Sequence, residues 1–109
     1  MHTKTLTLGY SPCPNDTFIF YALVHNKIDT GDLRFNEILL DVETLNGKAI
    51  NAELDITKVS FHAYGYLRDK YSLLHSGGAM GRGCGPLVVA RERTIMENLS
   101  GKKIAIPGR

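Results

Sequence analysis

The chain has 109 residues, with 13 Lys and Arg against 11 Asp and Glu and a formal net charge of +2. That length suits one small domain, and a composition 43% hydrophobic and 22% charged excludes a disordered tail, a collagen or a coiled coil. The longest aromatic-aliphatic run, residues 18–24, falls short of the roughly 20 residues that span a bilayer, and the basic residues are scattered instead of forming the stripe of a nucleic-acid footprint. Neither a membrane nor a nucleic acid is therefore expected as a partner.

The first residues lead directly into a strand-like segment, with no apolar stretch and small-residue cleavage site of a secretory signal. The expected location is cytoplasmic, where Cys13 and Cys84 stay reduced. Two cysteines without a C-x-x-C or a nearby histidine pair also make a poor zinc site, so no metal is expected.

Residues 5–10 alternate in character and predict a first strand. The breaker-rich residues 11–15 predict a turn, after which Asn15 or Asp16 caps a helix reaching about residue 26. That helix is apolar on most sides, which predicts burial against more than one neighbour. Residues 29–32 read as a turn and 34–41 as a strand burying Phe35, Ile38, Leu39 and Leu40. A short polar helix follows over 43–52, weakened by Gly47, then a third strand over 55–60 and a helix over 61–70. The remainder predicts strands over 72–75, 86–90 and 103–106, a glycine-rich segment over 77–85 and a short helix over 94–99.

Strands alternating with helices predict an α/β fold with a mostly parallel sheet flanked by helices. Ligands of such sheets collect at the carboxyl ends of strands, which directs attention to residues 11–17, to 58–62 and to the last three, Pro107, Gly108 and Arg109. The last of these segments directly follows a strand. A parallel sheet needs a returning crossover, so the sequence reads as interrupted within a βα unit.

Each segment has a chemical reading and a plainer one. Asn15, Asp16 and Thr17 at a helix opening could favour an anion, or could simply cap the helix. Cys13 between two prolines could be a nucleophile; without a nearby base, a packed thiol is the better expectation. Ser60 could donate to a ligand oxygen or cap the helix after it, and the two readings weigh equally. His62 could act as acid or base, although a lone histidine reads more simply as a surface residue. Five glycines in GGAMGRGCG over 77–85 could cradle a phosphate. Neither the Walker pattern nor G-x-G-x-x-G after strand one is present, so tight bends are the plainer expectation, with Arg82 solvated. Tyr64, Tyr66 and Tyr71 could stack on a ligand ring, with core packing the plainer expectation.

SPCPNDTF at 11–18, DITKVS at 55–60, GRGCGPLVV at 81–89 and LSGKKIAIPG at 99–108 together resemble the 1,4-dihydroxy-6-naphthoate synthases of the futalosine route to menaquinone. The likeness runs essentially from end to end. It implies one lobe of a two-lobed periplasmic-binding-protein-like (type II) fold, with residues 1–100 as the first lobe and 101–109 opening the second. It implies a lyase that converts cyclic dehypoxanthine futalosine, a small-molecule carboxylate, without a metal or organic cofactor. Lys58, Val59 and Ser60 fall on the family's substrate-binding segment; Ser11, Asn15 and Thr17 are inferred from loop position to line the same cleft. The family's general base is a second-lobe histidine, expected beyond Arg109, and none of His2, His25, His62 or His75 matches it. No catalytic residue is therefore assigned, and the chain is expected to be a partial form, inactive alone. Two alternatives stand beside this: a non-catalytic small-molecule binding domain of the same architecture, and a chorismate dehydratase-like enzyme of the same pathway. The Pro12 to Thr17 run argues for the naphthoate synthases. Apolar surface left open on a single lobe predicts association into a homodimer.

Overall fold

A computed structural model describes residues 2–106. The elements are β1 (Lys4–Tyr10), α1 (Pro14–Val24), β2 (Leu33–Leu39), α2 (Val42–Ile50), β3 (Ile56–Thr57) and α3 (Phe61–Tyr64), followed by a 3-10 turn at Met96–Leu99. The strands form one parallel sheet in the order β2-β1-β3, so the expected α/β class is the observed one. β1 lies in the middle, with Leu8 opposite both Glu37 and Ile56.

Alternation along β1 explains how both faces are covered, since successive side chains point to opposite sides. Tyr10, 2% exposed, meets Phe20 of α1 with ring centroids 4.8 Å apart. The Gly9 side faces Leu45 of α2 and Leu54, both buried. A helix therefore packs on each face, as parallel sheets require. The core is small: Leu8, Tyr10, Leu45, Ala49, Leu54 and Leu67.

The helix boundaries differ from the sequence reading for local reasons. α1 starts at Pro14, with Cys13 as its N-cap, two or three residues earlier than expected. Proline suits the first helical position because its fixed φ is helical and its missing N–H would have no partner there. The helix ends at Val24, and Asn26 takes a left-handed φ of 54°. It is also less enclosed than its apolar sequence suggested, with Phe18 85% exposed. α2 begins one residue early because Asp41 serves as its cap, accepting from the Thr44 N–H at 3.0 Å; β2 accordingly stops at Leu39.

The third strand is two residues long instead of six. Its first expected member, Asp55, turns its carboxylate to the Thr7 N–H at 2.9 Å and hydroxyl at 3.1 Å. Its last, Ser60, caps α3. The expected helix over 61–70 keeps only its first turn as α-helix and continues through turns to Lys70. Among the described residues, 72–75, 86–90 and 103–106 join no sheet. A strand is stable only with a neighbour to accept its ladder bonds, and Leu87, Val88 and Val89 are all exposed. The third expected ligand segment, Pro107 to Arg109, lies outside the described residues.

Candidate functional site

The carboxyl ends of β1 and β3 open onto a groove of about 1050 Å³. Its walls bring together Ser11, from the loop after β1, and Lys58, Val59 and Ser60, from the end of β3. Phe20, Phe61, Tyr64 and Tyr71 supply aromatic surface. Four of the six candidate site residues thus share one concavity. Thr17 does not: it lines a separate shallow depression with Pro14, Phe18 and Tyr21, and its hydroxyl donates to the Cys13 and Pro14 carbonyls, each at 3.2 Å. Asn15 is exposed on the first turn of α1 and lines neither hollow.

Asp16 organises the polar wall. It is the one buried polar residue among those described. One carboxylate oxygen accepts from the Ser11 N–H at 3.1 Å and the Ser11 hydroxyl at 3.0 Å. The other faces the Lys58 ammonium at 3.4 Å. Lys58 also donates to the Gly77 carbonyl at 3.2 Å, while its own N–H completes the sheet by donating to Gly9 O at 2.8 Å. Two opposite charges, both partly shielded from water, therefore satisfy each other and the polar groups around them.

Ser60 is held just as closely. Its N–H donates to the Asn46 side-chain oxygen Oδ1 at 3.1 Å, and the Asn46 side-chain Nδ2 donates back to its hydroxyl at 3.3 Å. The same hydroxyl caps α3 by accepting from the Ala63 N–H at 3.1 Å. The capping reading of Ser60 is thus observed, and the hydroxyl hydrogen remains for a donor role. Asn46 escaped notice because nothing local in the sequence ties it to a serine 14 positions away.

The other candidates separate clearly. Cys13 and Cys84 are free and exposed, so Cys13 is not the packed thiol expected. His62 is exposed and meets the Tyr66 ring edge-on. His75 reaches the groove wall, a placement that no motif signalled. The general-base histidine expected beyond Arg109 belongs to no residue of this chain, and no catalytic base is assigned among the groove residues. Tyr71 combines groove and core roles, donating its hydroxyl to Leu54 O at 2.6 Å. On the β2 side of β1, Tyr10 donates to the Glu37 carboxylate. Burial, that bond and the negative charges of Glu37 and Asp16 push its phenol up to about 12. Among the described residues no helix is long and apolar enough to cross a membrane.

Known proteins resemble this chain along nearly its whole length. A Thermus thermophilus protein named 1,4-dihydroxy-6-naphtoate synthase is 53% identical over 106 residues, covering 97% of this chain and 38% of that protein. A Streptomyces coelicolor protein of the same name is 45% identical over 107 residues, covering 98% of this chain and 37% of the other. The crystal structure of an Archaeoglobus fulgidus protein matches with a TM-score of 0.73 at 42% identity, over 86% of this chain and 35% of that one. The chain thus spans well under half the length of these relatives. A family model described as menaquinone biosynthesis matches residues 6–109, and with relatives this similar the chain belongs to that family.

Proposed function

We propose that this chain forms the first-lobe wall of a lyase site that converts cyclic dehypoxanthine futalosine to 1,4-dihydroxy-6-naphthoate. The observation that carries the reading is the shared groove of Ser11, Lys58, Val59 and Ser60, in a chain 53% identical to a protein named as that synthase. Its aromatic surface suits a fused-ring substrate, and its polar edge suits a carboxylate. Aromatising elimination needs a base to take a proton, donors for the charge that develops, and exclusion of water. The donors belong to this wall. The base belongs to a second lobe, opened by residues 101–109, that closes over the groove.

On this reading Ser60 offers its hydroxyl hydrogen to the substrate and Lys58 supplies positive charge beside it, while Ser11, whose hydroxyl donates to Asp16, shapes the wall. Asn15 and Thr17, which line no part of the groove, have no part in it on this reading. The purified 109-residue chain should bind cyclic dehypoxanthine futalosine weakly and not turn it over. A chain combining it with the remainder of a relative's sequence should release the naphthoate and should leave chorismate intact. Turnover by the short chain alone, or dehydration of chorismate by the combined chain, would overturn the proposal.

A further inference from the structure

The carboxylate of Asp16 divides its two oxygens between two segments that are distant in sequence. Oδ2 holds the loop after β1 through the Ser11 N–H and hydroxyl. Oδ1 holds the end of β3 through Lys58. Lys58 extends the chain of contacts to the Gly77 carbonyl, at the entrance to the glycine-rich segment. Gly77 has a φ of +86°, a backbone setting that side-chain-bearing residues rarely take, so its carbonyl direction is set by an unusual conformation. Ser11, Lys58 and Gly77 all line the groove. One buried anion therefore underlies three pieces of its wall.

We infer that Asp16 is a positioning residue of the candidate site, setting the Ser11 hydroxyl directly and the Gly77 carbonyl through Lys58. The chemistry of the pair also fixes what the wall presents. Because Asp16 balances Lys58, the wall carries little net charge, and an aromatic carboxylate meets the Ser60 hydroxyl, whose hydrogen is free, with a tethered ammonium beside it. As a statement about a ligand this rests on the function proposed above; as a statement about geometry it stands independently.

The two oxygens give a decisive pair of variants. In Asp16→Asn one acceptor oxygen remains and the other position becomes an NH2 donor. Ser11 offers two donors to the surviving oxygen, which leaves NH2 facing the Lys58 ammonium, donor against donor. Asp16→Asn should therefore release Lys58 and spare Ser11, and Lys58→Met should do the same. Asp16→Ala should release both. Amide NMR of the 109-residue chain reads this through the Ser11 N–H and through the Gly78 nitrogen, whose peptide bond carries the Gly77 carbonyl. The expected result is a shifted Gly78 in Asp16→Asn and Lys58→Met, with Ser11 unmoved, and both shifted in Asp16→Ala.

Gly78 unmoved in Asp16→Asn and Lys58→Met overturns the inference, and Lys58→Met decides alone if the Asp16 variants do not fold. A helix that merely lost a stabilising residue reaches Gly78 through Phe20, which sits beside Gly77, and Lys58→Met separates the two routes because it leaves α1 unchanged. Titration with 2-naphthoate supplies the second readout: binding followed at Ser11 and Ser60 should weaken about tenfold in Lys58→Met, which removes the ammonium that Asp16 holds at the wall. Equal affinity in the two chains overturns the positioning role. If 2-naphthoate perturbs neither amide in the original chain, the ligand reading of the groove fails instead, and the Gly78 comparison still decides the geometry.

Discussion

Gly9→Ala places one methyl group at the most crowded point of the sheet. A Cβ there would lie 2.6 Å from Leu54 Cδ1, 2.8 Å from Leu45 Cδ2 and 3.1 Å from Thr57 Oγ1. Carbon atoms pack at about 3.5–4.0 Å, so two buried leucines must each retreat by about 1 Å. Leu45 is fully buried and Leu54 is 6% exposed, which leaves them no solvent to move into. Forced overpacking of this kind costs about 1–3 kcal/mol. Alanine also restricts the unfolded chain, which returns about 0.4–1 kcal/mol where the native backbone suits it. The net expectation is a loss of about 1–2 kcal/mol, measured as a lower urea midpoint at unchanged slope. Trimming one of the opposing leucines should relieve it. Leu54→Ala alone costs about 2–5 kcal/mol, and the Gly9→Ala, Leu54→Ala double variant should fall short of additivity by about 1 kcal/mol or more. A Gly9→Ala chain as stable as the original, or strict additivity in the double variant, would refute the packing argument.

Ser60→Ala removes the α3 cap and one arm of the Asn46 pairing, and should cost about 1–2 kcal/mol in urea unfolding; Asn46→Ala should come close to it, and combining them should add little. Leu45→Ala opens a void at a fully buried position and should cost about 2–5 kcal/mol, against a few tenths for the exposed Leu87→Ala in the same assay. Alkaline stability should decline between pH 10 and about 12, because the Tyr10 phenol holds its proton more tightly folded than unfolded; Tyr10→Phe should flatten that slope. At the acid end, Asp55 is held below its ordinary value of 3.8 by the Thr7 N–H and hydroxyl, and Asp41 likewise by the Thr44 hydroxyl and N–H. Their stabilisation is present above pH 3.8 and is lost as pH falls through the lower folded values, so Asp55→Asn should reduce the acid dependence of the urea midpoint.

Local chemistry was legible where it acts over a few residues. The alternation of residues 5–10 announced β1, and the prolines at 12 and 14 marked the loop before the helix, although Cys13, and not Asn15 or Asp16, is the cap. Ser60 as a cap could be read from the apolar turn that follows it. The motif at 55–60 also pointed to the carboxyl end of the sheet, where Lys58, Val59 and Ser60 share the groove with Ser11.

What sequence alone determined was the α/β class, the parallel sheet and the neighbourhood of the site, because periodicity, capping and turn chemistry are properties of adjacent residues. Tertiary structure alone decided which polar groups meet. Asp16 finds Lys58 across 42 positions and Asn46 finds Ser60 across 14, pairings that exist only after the strands have set their register. The same dependence explains residues 86–90, whose apolar pattern suits a strand yet forms none here: a strand is completed by a neighbour's hydrogen bonds, and no run of residues carries its neighbour within it.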